Sequence, residues 1–430
     1  MERILVVSYG VVPAPDRHGV SLDNLLQALG VRYDVDAMTV RAGDLPYVQT
    51  YRRARMLRVP VGSDGPRQQV EVFRRALRRQ LEGADYDVIH LRDACGGPPA
   101  CQASQSHETK LVFELARGSD ELPVGGDASL PSELAADERE CLRRADLVLV
   151  SSRWAGDHLS RLHPALRLGL FPPAVNIDLF DWEPVPLPRE PLLLYVGRVA
   201  PGRGLRLLVQ AVAEVARERP CRLRVVGADV EGFGTQLAAR AAELGIAERL
   251  ELLGAVEHEE LPRHLAEATL CVVPQLADPL RKPFAACPLT LLEFAACRRP
   301  VVAPERPQVT ELFVPEAEVA TFAPDDVHAL AQQVLALLGD GELRRRIAER
   351  AYDTVRRGHA ASAARRKLLA AYQTILPPRL AAGDEPTGDA GPSLATDDTT
   401  TAQRLLEAVP PAPRDGDGGS AEAWLPPDRR

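Results

Sequence analysis

The chain has 430 residues, 45% of them hydrophobic and 26% charged, with a formal net charge of −8. That length exceeds one ordinary core and points to two domains. No apolar run reaches the ~18 residues of a membrane span. Residues 381–430 hold ten acidic and four basic side chains, so this tail carries −6 and the body only −2, a balance that gives no support to a nucleic-acid partner.

The opening segment, Met1–Gly10, is too short and polar for a secretory signal and reads as a first strand, so a cytoplasmic location is expected. Short apolar strands are expected at Ile4–Ser8, Tyr33–Val40, Tyr86–His90, Lys110–Leu115 and Leu147–Ser151, with helical spacing at Ser21–Leu29. This alternation predicts a mostly parallel sheet covered on both faces. Between Arg52 and Arg79 lie nine arginines, and Val70, Phe73, Leu77 and Leu81 form an apolar stripe beside them. Such a face either lies on an anionic membrane surface through 70–81 or packs on the sheet with its arginines solvated.

Proline-rich residues 173–190 read as a linker. Beyond them the rhythm restarts, with strands expected at Leu192–Val196, Leu223–Val226, Leu250–Leu252, Leu270–Val273 and Pro300–Ala303, and basic helices over 342–376. The fold class is therefore α/β, with two doubly wound Rossmann-like domains (1–172 and 191–341) facing a cleft, final helices crossing back to the first, and a disordered acidic tail over 381–430. Within that tail Thr401–Val409 is a transient helix or a docking element. Seven cysteines, without metal-ligand spacing, read as reduced buried thiols.

The most informative stretch is Leu192–Gly204. A strand-length apolar run ends in a turn with Gly197, Gly202 and Gly204 and two arginines, Arg198 and Arg203, and a helix follows with Leu205, Leu208, Val209 and Val212 on one face. Free N–H groups and the positive helix end favour an anion there, and guanidinium forks match phosphate oxygens. A phosphate or pyrophosphate suits this geometry best. The glycine spacing is not G-x-G-x-x-G and no Walker lysine follows, which argues against dinucleotide and P-loop sites.

Several segments in order carry a resemblance. Tyr195–Gly204 is similar to the G-R-x-x-x-x-K-G loop of the retaining group 1 (family four) glycosyltransferases, with Arg203 in place of lysine. Arg222–Gly227, Leu253–Val256 with Glu260–Leu265, Cys287–Val302 and Pro173–Phe180 resemble four further segments of that family, and the resemblance covers 1–376. It implies the two-domain GT-B fold and a UDP-sugar or GDP-sugar donor, with no metal or other cofactor. It also implies roles: Arg198 and Arg203 would hold the diphosphate, Glu293 would accept both ribose hydroxyls, and Gly197, Gly204, Gly227, Val256, Thr290 and Leu291 would line the donor. The donor phosphate would itself serve as base. The implied acceptor is a hydroxyl, on a lipid-linked compound or a glycan. The D-x-D pairs Asp34/Asp36, Asp85/Asp87 and Asp415/Asp417 are not expected to bind metal.

Departures from the family pattern are specific. Ala285 stands where the family's first glutamate is usual, Thr290 where a branch has a phosphate-binding lysine after Pro288, Ala116 where many members have a pocket histidine, and His18-Gly19 where a double glycine is common. Arg281 or Lys282 could return the lost charge. On the first domain Gly19, Arg92 and Glu114 are candidates for acceptor or sugar contacts; equally, Arg92 and Glu114 could pair with each other and close the sheet edge. Two other readings stay open: a scaffold protein whose catalysis has decayed, and, less well supplied with acid and base groups, a nucleotide-sugar 2-epimerase.

Overall fold

The computed structural model describes residues 1–14, 17–106, 108–115, 127, 129–180, 188–275 and 289–376. Their backbone forms two compact units. Among the described residues, the first comprises 1–150, 159–171 and 365–376, and the second 151–158 and 172–364.

The first unit is built on eight strands: β1 (Arg3–Val7), β2 (Asp34–Val40), β3 (Val48–Tyr51), β4 (Ala54–Val59), β5 (Val88–Leu91), β6 (Lys110–Glu114), β7 (Leu147–Val150) and β8 (Leu168–Leu170). Their order is β3-β4-β2-β1-β5-β6-β7-β8, and every neighbouring pair is parallel except β3 with β4. The apolar runs form strands because both sheet faces are covered: Ile4, Leu5 and Val7 in β1 and Val88, Ile89 and Leu91 in β5 are fully buried.

The second unit carries β9 (Leu192–Val196), β10 (Arg222–Val226), β11 (Leu250–Gly254), β12 (Leu270–Val272), β13 (Val301–Pro304) and β14 (Ala320–Phe322). All run parallel in the order β11-β10-β9-β12-β13-β14. The order reverses between β9 and β12, so the crevice at their carboxyl ends is where an open α/β sheet takes a ligand.

Both units are thus doubly wound α/β folds, as the alternation of elements indicates. Four strands lie outside the sequence expectation: β3, β4, β8 and β14. Proline content suggested a linker over 173–190, yet Ile177–Phe180 forms a helical turn whose Phe180 is fully buried in the second unit's core. Val175 also bonds there, its N–H donating to the His359 carbonyl at 3.0 Å. The tail 381–430 lies outside the described residues.

Candidate active site

At the centre of the second sheet, β9 ends at Gly197, and the chain then turns through Gly202 (φ +76°) and Gly204 (φ +72°) into the helix Leu205–Glu218. A side chain at Gly204 would be strained by its backbone, and its Cβ would lie 2.6 Å from the Cβ of Gln275. Glycine there lets the loop after β9 close against the loop after β12, at the point where the strand order reverses. The helix start has no side-chain cap, so its positive end is left to face the loop.

A second close approach braces the loop from the other side. Gly197 donates to the Val226 carbonyl (2.9 Å) and Gly227 donates to the Gly254 carbonyl (2.8 Å). A Cβ on Gly227 would collide with the carbonyl of Gly197. Val199 and Val230 complete the tie, through Val199 N–H to Ala228 O (2.8 Å) and Val230 N–H to Val199 O (3.0 Å). The carboxyl ends of β9, β10 and β11 are therefore fixed in one backbone network.

Arg198 and Arg203 project from this braced loop and are exposed. Among the described residues, neither guanidinium has a hydrogen-bond or ion-pair partner, although arginines elsewhere in the unit do: Arg224 pairs with Glu251 and Glu267, and Arg249 with Glu190. Both charges act on Tyr195. Burial pushes its phenol up to about 12, while Arg203 and Arg198 pull in the opposite sense. Its hydroxyl donates to the Arg198 carbonyl at 3.1 Å. Two cations thus act on one phenol with no protein anion beside them among the described residues.

Glu293 lies on the helix Leu289–Ala296 and is only 3% exposed. Its Oε1 meets His258 Nε2 at 2.8 Å; among the described residues nothing is bonded to Oε2. The hydrogen bond to Glu293 raises the His258 pKa above its ordinary 6.5 against the opposing effect of burial, and the charge of Glu259 adds to the rise. Phe180 sets the imidazole from its edge, with ring centroids 5.4 Å apart. His258 is a site residue that the sequence reading missed.

One apolar cluster joins these parts. Val226, Leu291 and Phe180 belong to it, and Val196, Val256 and Leu289 pack against it. Gly197, Gly227, Val256 and Glu293 are thus carried by one packed body. Thr290 is half-buried beside them. Leu291 is fully buried in the cluster, so its side chain supports the helix rather than lining open space.

The first unit uses its candidates differently. Arg92 and Glu114, at the ends of β5 and β6, form a buried bidentate pair: Arg92 Nε to Oε2 at 2.9 Å and Nη2 to Oε1 at 3.1 Å. His90 adds a contact to Oε2 at 3.0 Å and meets the Tyr372 hydroxyl at 2.6 Å through its other nitrogen. Burial opposes ionisation of Glu114, but the Arg92 charge and the His90 hydrogen bond hold its pKa down to about 2. Gly19 sits in the helix Arg17–Leu29, where a Cβ would collide with the Ala14 carbonyl. This is the arrangement in which the two side chains close the sheet edge on each other.

Of the two readings of the basic stripe, the structure shows the packed one. In the helix Pro66–Gly83, Val70, Phe73 and Leu77 are at most 1% exposed and face the unit's core, so that apolar face is not available to a membrane. Arg74 turns inward and binds Glu71, Glu133 and Asp137. Asp36 is held by Arg3, Arg55 and the Tyr86 hydroxyl, and Asp87 receives the Arg3 N–H. Residues Ala116, Arg281, Lys282, Ala285 and Pro288 lie outside the described residues, as does the Asp415/Asp417 pair.

Residues 190–340 match the family described as glycosyl transferases group 1, and residues 18–174 match the glycosyl transferase 4-like domain. The chain belongs to the group 1 glycosyltransferases. This glycosyltransferase is 26% identical over 370 residues to the D-inositol 3-phosphate glycosyltransferase of Xylanimonas cellulosilytica, covering 79% of this chain and 86% of that one. It is 28% identical over 256 residues to the alpha-D-kanosaminyltransferase of Streptomyces kanamyceticus, covering 55% and 63%. Among solved structures, sucrose-phosphate synthase from Thermosynechococcus elongatus superposes with a TM-score of 0.72 at 22% identity, covering 87% of this chain and 99% of that chain. Anabaena HepE in complex with UDP gives 0.67 at 15% identity, covering 87% and 100%. These likenesses show the GT-B fold.

Proposed function

We propose that this glycosyltransferase moves a hexose from a UDP-sugar or GDP-sugar to a hydroxyl acceptor, keeping the anomeric configuration and using no metal. The observation that carries the reading is the pair of exposed guanidiniums, Arg198 and Arg203, without a protein partner among the described residues, on a braced glycine loop at the β9/β12 reversal. Fixed cations at that place hold the diphosphate and stabilise the charge it gains as the sugar bond breaks. Because Thr290 brings no charge to the helix start, the two arginines supply the positive field from this unit's described residues. Glu293, with Oε1 on His258 and nothing bonded to Oε2 among the described residues, accepts from the ribose hydroxyls. The leaving phosphate takes the acceptor proton, so no carboxylate nucleophile is needed.

Structures of Anabaena HepE with UDP and with UDP-glucose support a nucleotide-sugar donor. The name D-inositol 3-phosphate glycosyltransferase makes a phosphorylated polyol a sensible first acceptor to try. Calorimetric titration with UDP and GDP tests the donor: saturable binding to at least one is expected, weakened in Glu293→Ala. Folded protein that binds neither overturns the reading. The coupling constant of the product's anomeric proton tests retention, and unchanged turnover in excess EDTA tests independence from metal.

A further inference from the structure

The first unit also holds a chemical group that glycosyl transfer does not use. Cys101, on the helix Gly97–Ser106, and Cys141, on the helix Leu130–Arg144, place their sulfurs 3.7 Å apart. Gly97 makes this possible, since a Cβ there would lie 2.9 Å from the Cys141 sulfur. Beside the pair is a cavity of about 220 Å³ lined by Cys101, Pro98, Gln102, Asp137 and Arg144. A water claims about 30 Å³ in the liquid, so a peroxide has room to reach Cys101. All six described cysteines are buried, and of them only Cys101 lines this cavity.

We infer that Cys101 and Cys141 form a peroxide-reactive dithiol, with Cys101 as the attacking thiol and Cys141 as the resolving one. Two features assign the roles. Cys101 borders the cavity, whereas Cys141 is fully buried. The Cys141 contact draws the Cys101 pKa below the usual thiol value against burial, and the charge of Arg144, which lines the same cavity, adds to the fall. Thiolate character with access is what selects a thiol for oxidation.

The steps balance with hydrogen peroxide as oxidant. Cys101 attacks one peroxide oxygen, the O–O bond breaks, and Cys101 becomes a sulfenic acid with release of water. The Cys141 sulfur then attacks the Cys101 sulfur, an S–S bond forms, and the hydroxyl leaves as a second water. Two thiols lose two electrons in total and one peroxide is reduced. From 3.7 Å the sulfurs must close to about 2.05 Å. The bond ties two packed helices of the first unit and is reversible by a thiol reductant.

The test is peptide mapping of the full chain after graded hydrogen peroxide, with all free thiols alkylated. A 2 Da loss on a linked Cys101–Cys141 peptide pair, restored by dithiothreitol, is expected before Cys95, Cys221, Cys271 or Cys297 react. In Cys141→Ser, Cys101 should accumulate as a sulfenic acid trapped by dimedone; in Cys101→Ser, Cys141 should stay reduced. Wild-type protein in which both cysteines remain alkylatable while a glutathione control is consumed would overturn the inference. So would oxidation of Cys101 to sulfinic acid with Cys141 still free. The wild-type map decides the matter even if a serine variant fails to fold.

Discussion

The two units repeat one architecture, a parallel sheet with a reversal of strand order, yet they treat their arginines in opposite ways. At the carboxyl end of β5, Arg92 is 2% exposed and spends its guanidinium on Glu114, Ser21 and the His18 carbonyl. After β9, Arg198 and Arg203 stand in solvent with no protein counter-charge among the described residues. Position at a strand end does not make an arginine functional; what matters is whether the fold has already neutralised it. A satisfied buried pair rigidifies the unit that holds it, whereas exposed cations without a counter-charge among the described residues leave their field turned to solvent.

Breaking the Arg92 pair should give the largest effect. Glu114→Ala strands a buried guanidinium, which costs about 3–5 kcal/mol and should appear as a lower denaturant midpoint. In acid the sign follows from the depressed pKa: the Glu114 contribution is intact above its ordinary 4.5 and is lost as pH falls towards about 2. Wild type should therefore lose more stability than Glu114→Gln across that interval. The double change Arg92→Met with Glu114→Leu removes both charges and should recover most of the midpoint. If that stable variant loses glycosyl transfer, the pair touches substrate after all, and the contrast between the units fails.

The opposite pattern is expected in the second unit. Arg198→Ala and Arg203→Ala should each lower kcat by about a hundred- to a thousandfold, in line with loss of one preorganised donor. Stability should move by no more than about 0.5 kcal/mol, because neither side chain has a partner to lose among the described residues. Parallel kcat and melting measurements check both halves. An arginine variant that unfolds but retains rate per folded molecule would show that the loop cations are structural.

Much of this contrast can be read in the residues. Leu192–Val196 announces a buried strand, and the three glycines after it announce the turn into the next helix. The Arg92–Glu114 pair was half legible: both positions fall at strand ends, but sequence cannot say whether two such side chains reach each other. Strands β3 and β4 were hidden because their turn is Arg52-Arg53, both at positive φ (50° and 65°), where glycine or asparagine would have been the signal. Arginines at 55 and 58 further disguised β4, although Arg58 is fully buried and bonds to the Val12 and Pro46 carbonyls. His258 left no trace either. It lies in a single 3₁₀ turn, His258–Glu260, with no periodic pattern, and its partner is 35 residues away.

That histidine offers the finest probe of the second unit. His258→Gln keeps a donor near Glu293 but removes the titrating charge, so Glu293 should be oriented less firmly. A net loss of about 1 kcal/mol corresponds to a rise of roughly fivefold in donor KM, with kcat nearly unchanged because no group at the breaking bond is altered. The pH dependence separates positioning from mere packing. The folded-state pKa of His258 is raised, so its stabilisation is fully present below the unfolded value of 6.5 and is lost as pH rises through the folded value. The difference in melting temperature between wild type and His258→Gln should be widest in mildly acidic buffer and shrink in alkaline buffer. A gap that widens with pH would mean that the imidazole acts as a neutral packing group and that Glu293 is oriented by something else.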